Sequence, residues 1–124
     1  MEKPSRTQTS VSTRSTRLAL SRSVLELTAQ RLRVIADPTR IALLEALNQG
    51  EAGVQELADA IDRPHKTASH HLLLLWRAGV VSRRPEGSMT FYALSDWSAW
   101  WVAEQIARWV ESCQDEQDAS APTG

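Results

Sequence analysis

The apolar residues of this chain change their repeat at Gly79, and that change restricts the fold more than any other feature. Before Gly79 they recur at helical spacing, and after it they alternate. Val81 and Arg83 lead into Pro85-Glu86-Gly87-Ser88. Thr90, Tyr92 and Leu94 then fall on one face and Met89, Phe91 and Ala93 on the other, which predicts a β-hairpin.

Proline and glycine cut the part before Gly79 into short pieces. Leu18, Leu25, Leu32 and Ile35, with Ala29 and Ala36 between them, predict a first helix that ends at Asp37-Pro38. Asp37 is a suitable N-cap and Pro38 suits a first helical turn, where its missing N–H is not needed. A second helix therefore starts there and carries Ile41, Leu44 and Leu47 inward to a stop at Gly50. Val54, Leu57, Ala58 and Ile61 predict a short third helix. Asp62-Arg63-Pro64 breaks the chain before a fourth, which runs to Gly79, a good C′ residue. Beyond the hairpin, Ser95 or Asp96 can cap a last helix bearing Trp97, Trp100, Trp101, Val102, Ile106, Trp109, Val110 and Cys113. The expected class is mainly α with a small β-hairpin, in the order α-α-α-α-β-β-α. Two short helices at a tight turn followed by a hairpin are the parts, in order, of a winged helix-turn-helix.

A length of 124 residues suits one domain. Residues 1–16 are Ser, Thr, Arg, Gln and Lys without apolar periodicity, and are expected to form a disordered basic arm. Residues 114–124 are acidic and then small and polar, and are expected to form a disordered tail. The folded unit is placed at 17–113. The net charge of −1 hides an uneven distribution, because residues 1–40 carry +5 and the remainder −6. A basic front suits a polyanion such as DNA.

No stretch reaches the roughly 20 apolar residues of a membrane helix. The N-terminus lacks the apolar core of a signal peptide, so a cytoplasmic chain that does not contact membrane is expected. Cys113 is the only cysteine, which excludes an intrachain disulfide and a thiolate-rich metal site within one subunit. No nucleophile–base pair, carboxylate pair or phosphate-cradling loop is recognisable, so the chain does not read as an enzyme.

Three motifs carry a family resemblance over about residues 25–95. Ala36-Asp37-Pro38-Thr39-Arg40-Ile41, Thr67-Ala68-Ser69-His70-His71-Leu72 and Arg77-Ala78-Gly79-Val80-Val81 resemble the entry to the second helix, the start of the recognition helix and the exit into the wing of the ArsR/SmtB bacterial repressors. The resemblance implies a winged homodimer, joined through its first and last helices, that binds double-stranded operator DNA. An inverted repeat would seat the two recognition helices one turn of DNA apart.

On the fourth helix, Ala68, Leu72 and Leu75 share the stripe expected to face the core, whereas Lys66, Ser69, His70 and Leu73 share another. The DNA-binding set expected from this is His65, Lys66, Thr67, Ser69 and His70, joined by Arg83 and Arg84 of the wing. His71 reads as a partly buried packing residue. The family usually has Ser where Pro64 stands, which removes a side-chain cap and leaves Asp62 as the alternative if the helix begins one residue early. The last helix is apolar on several sides, more than so small a domain can cover. Leu18, Leu25, Trp101, Val102, Ile106 and Trp109 are therefore the expected dimer interface.

The family's metal sites have lost their ligands. Gly53 and Gln55 stand where thiolates would be, and Ser98, Trp109 and Ser112 replace three of the four last-helix ligands, leaving Asp96. No metal and no cofactor is expected. Leu73 and Trp76 occupy positions that are usually charged in the family. The alternative reading is a winged-helix interaction module, or a regulator set by a partner protein or an organic effector. The overall acidic balance is the feature that favours it.

Overall fold

The computed structural model describes residues 17–120, so the arm of residues 1–16 and residues 121–124 lie outside the described residues. The elements are α1 (Arg22–Ile35), α2 (Pro38–Leu47), β1 (Ala52–Gly53), α3 (Val54–Ala60), α4 (His65–Arg77), β2 (Val81–Glu86), β3 (Met89–Leu94) and α5 (Ser98–Ser120). This is a winged helix-turn-helix. No helix among the described residues is long and apolar enough to cross a membrane.

The helix ends follow local chemistry. Ser21 caps α1 by accepting from the Val24 N–H at 3.3 Å, so the helix starts later than the leucine spacing predicts and Leu18 lies before it. Asp37 caps α2, accepting from the Arg40 N–H at 3.1 Å with Pro38 in the first turn. α3 closes with Asp62 at φ 55°, where the Asp62 and Arg63 N–H groups reach back to Asp59 and Ala58. Asp62 is therefore the exit of α3 and does not cap α4, whose N-cap position is Pro64 and which has no side-chain cap. α4 ends with Gly79 at φ 79°, the Val80 N–H bonding the Leu75 carbonyl and the Gly79 N–H that of Trp76.

The hairpin turn is tighter than its composition suggests. Pro85 and Glu86 belong to β2, opposite Thr90 and Met89, and only Gly87 and Ser88 form the loop. Proline is tolerated there because β2 is an edge strand in the order β1-β3-β2. β1 pairs Ala52 with Tyr92 and Gly53 with Phe91, a third strand that the alternation pattern did not predict. Two residues are too short to show a period.

Leu43, Leu44 and Leu47 of α2, Leu57 of α3, Leu72 and Leu75 of α4, Val80, Val81 and Tyr92 form the buried core. Ile41, expected inward, is only half-buried, and Leu43 takes an inward place instead. α1 contributes no buried residue. α5 passes the expected boundary at 113 and continues through Ser120. Gln114, Asp115, Glu116 and Gln117 contain no helix breaker, so the backbone can extend without a core to cover.

Candidate nucleic-acid interface

One face of α4 is fixed and the other is presented. Ala68, Leu72 and Leu75 are fully buried, which sets the rotation of the helix on the core. His65, Lys66 and His70 are then exposed, and Thr67 and Ser69 are half-buried at the margin. These groups supply an ammonium, two imidazoles and two hydroxyls, the donors and acceptors that suit phosphates and base edges. His65 already has a partner, its Nδ1 lying 3.0 Å from Gln55 Oε1.

His71 points the other way. It is half-buried, its Nδ1 accepts a hydrogen bond from Arg40 Nε at 3.1 Å, and Asp37 lies 3.9 Å away. Burial pushes its pKa below the usual imidazole value, against the pull of Asp37, and the charges of Arg40, His70 and Arg63 add to the lowering. A neutral ring follows, with its proton on Nε2.

The two wing arginines lie on opposite faces of the hairpin. Arg83 pairs across the ladder with buried Tyr92, and Arg84 with Phe91. The Arg83 guanidinium sits 4.7 Å from the centre of the Trp76 ring on α4. Arg84 lies over Phe91 at 4.8 Å and is engaged by Glu51 at 2.7 and 3.2 Å and by Glu86. Those carboxylates hold Arg84 firmly in its charged form, and its hydrogen bonds lower the pKa of Glu51. Between α4 and the wing lies an open cleft of about 430 Å³, lined by Gln55, His65, Ser69, Leu73, Arg83 and Thr90 among others.

The structure therefore brings His65, Ser69 and Arg83 together along one cleft, leaves Lys66 and His70 exposed on α4 with Thr67 half-buried, and sets Arg84 on the other face of the hairpin in an ion-pair cluster. Neither the Glu51–Arg84 latch nor the Trp76–Arg83 stack was predicted from the sequence. Glu51 and Arg84 are remote in sequence, and Trp76 and Arg83, though near in sequence, belong to a helix and a strand on either side of the Gly79 turn, so no local pattern announces either pair.

The six residues expected at a dimer interface lie on or beside α1 and on α5, and Val102 and Ile106 line one groove. Leu18 is 71% exposed ahead of α1, Leu25 lies on α1, and Ile106 and Trp109 project from α5, the latter 69% exposed. Val102 is half-buried, and so is Trp101, whose ring meets Trp97 edge-on at 6.0 Å. Between the helices runs an apolar groove of about 610 Å³, lined by Leu32, Ile35, Ile41, Val102, Ile106 and Val110 among others. Among the described residues, no three His, Cys, Asp or Glu side chains gather where a metal ion would need them.

Residues 37–83 match the family described as bacterial regulatory protein, arsR family, a span running from the Asp37 cap to the stacked Arg83. An uncharacterized HTH-type transcriptional regulator of Methanocaldococcus jannaschii is 38% identical over 72 residues, 57% of this chain and 81% of that protein. The HTH-type transcriptional repressor SmtB of Mycobacterium tuberculosis is 37% identical over 75 residues, 60% of this chain, but the match spans only 56% of SmtB. Among solved structures, HlyU from Vibrio cholerae superposes with a TM-score of 0.63 at 27% identity, covering 71% of this chain and 96% of that one. The chain belongs to the arsR family of bacterial regulatory proteins, winged helix-turn-helix regulators of transcription.

Proposed function

We propose that this regulator binds an inverted-repeat operator as a homodimer and represses by occupying DNA that RNA polymerase needs. The observation that carries the reading is α4 itself, anchored by Ala68, Leu72 and Leu75 and presenting His65, Lys66 and His70 to solvent. Lys66 and Arg83 supply phosphate contacts, while Thr67, Ser69 and His70 face base edges. Two such helices about 34–36 Å apart fit successive major grooves, and the apolar faces of α1 and α5 supply the symmetric contact that sets this spacing. Cys113, the only cysteine, is free and exposed, so within one subunit it can form no thiol pair, while a pair between the two subunits of the dimer stays open; an organic effector or a partner protein is the alternative source of a regulating signal. A cytoplasmic site of action follows from the DNA target.

The test is a gel shift with the DNA immediately upstream of the protein's own gene, run across a salt series beside an unrelated fragment of equal length. Preferential retention of the upstream fragment, with affinity falling linearly against log salt, is expected. Equal binding to both fragments, or none to either, rejects the reading.

A further inference from the structure

We propose that Trp76 is a positioning residue for Arg83, its indole face holding the guanidinium beside the reading face of α4 so that the wing offers one cation to the DNA backbone from a fixed place. The inference rests on the DNA-binding reading and adds to it a residue outside the polar face. The geometry is specific: Trp76 follows Ser69 and Leu73 along the cleft-facing stripe of α4, and the Arg83 Cζ lies 4.7 Å from its ring centre. The strand register turns Arg83 toward α4 and Arg84 away from it.

The chemistry separates the two arginines. Arg84 is bound by Glu51 and Glu86, which neutralise it locally. Among the described residues no carboxylate forms an ion pair with Arg83, whose guanidinium meets the aromatic face of Trp76 instead. An acidic residue at position 76 would cancel its charge and a basic one would repel it. An indole attracts the guanidinium through its π-face and leaves the N–H edges free for two phosphate oxygens. Trp76 is 41% exposed, so its ring is open at the surface where it bears the arginine. A tryptophan at a helix position where cations would be expected to approach DNA is thereby explained.

The experiment measures upstream-DNA affinity by fluorescence anisotropy over a salt series for wild type, Trp76→Ala, Trp76→Phe, Arg83→Ala and the Trp76→Ala/Arg83→Ala pair. Arg83→Ala should reduce the log–log salt slope by about one unit. Trp76→Ala should weaken binding about two- to fivefold, with Phe restoring most of the loss. The double variant should bind no more weakly than Arg83→Ala alone. Losses that multiply, or a Trp76→Ala protein equal to wild type, overturn the proposal, since Trp76 would then act independently of Arg83 or not at all. If Trp76→Ala fails to fold, Trp76→Leu against Trp76→Phe makes the same comparison, because leucine keeps the apolar bulk and has no π-face. Failure of the wild type to bind removes the underlying reading, whereas binding without coupling removes this inference alone.

Discussion

Arg40 donates from Nε to His71 Nδ1 at 3.1 Å and from Nη1 to the Val34 carbonyl at 2.7 Å, so one side chain joins the end of α1 to the recognition helix. The bond requires a neutral imidazole. The pKa of His71 is lowered by burial in the fold, so the unfolded chain binds the proton more readily. Its contribution to stability is therefore full above the ordinary value of 6.5 and declines as pH falls from there to the folded-state pKa, below which it stays lost. Chemical denaturation between about pH 8 and about pH 5 should show this decline, and His71→Gln should flatten it. An unchanged pH slope in His71→Gln would show that the neutral ring is not what the fold requires.

Gly79 ends the recognition helix in a left-handed conformation, and a Cβ built there meets nothing within 4 Å. Gly79→Ala should thus cost only the backbone term, about 1 kcal/mol, with Gly79→Asn costing less. Thermal melts of the three proteins check the order. A neutral alanine substitution would mean that the helix end relaxes out of its closing hydrogen bonds.

Glu51 clamps the wing through Arg84. Glu51→Gln should release that arginine and remove an anion beside the DNA. The salt slope of binding should steepen by up to about one unit, and the β2–β3 amides should exchange faster with solvent. Arg84→Ala in the wild-type background should change the slope far less than Arg83→Ala. Equal slopes for the two alanine variants would place both arginines on the DNA.

The parts of the fold that were legible in the sequence are those governed by local chemistry. The Asp37-Pro38 start, the Gly79 stop and the switch to alternation each depend on residues within a few positions, and all three stand where the sequence put them. The two residues of β1 carry no period, and the spacing of seven that draws Leu18 toward α1 is overruled by the cap at Ser21. In α4, the buried stripe identified the opposite face as exposed. The fates of Arg83 and Arg84 were not readable, since adjacent residues of one type are separated only by strand register and by partners some tens of positions away in sequence or across the cleft.

Within one protomer α1 has no fully buried residue and packs only Val34 and Ile35 against the core, while Val24, Leu25, Leu27 and Leu32 are each 41–51% exposed and Trp109 of α5 is 69% exposed. Leaving such surface in water costs about 25 cal/mol per Å², which a second copy avoids by laying the same faces against each other. The groove of about 610 Å³ between α1 and α5 offers an apolar lining to an entering side chain, and Trp109 projects from the same helix. Truncating a tryptophan at the centre of an interface typically costs more than about 2 kcal/mol, so Trp109→Ala should shift sedimentation equilibrium toward monomer. Operator binding should fall with it, although α4 is untouched, because a single reading head spans only half of a symmetric site. Leu25→Ala should act in the same direction, and Leu18→Ala more weakly, since Leu18 lies ahead of the helix. A wild-type protein that stays monomeric at on the order of tens of micromolar would show that these faces serve another partner. A Trp101→Ala/Trp109→Ala protein as dimeric as wild type would move the interface elsewhere.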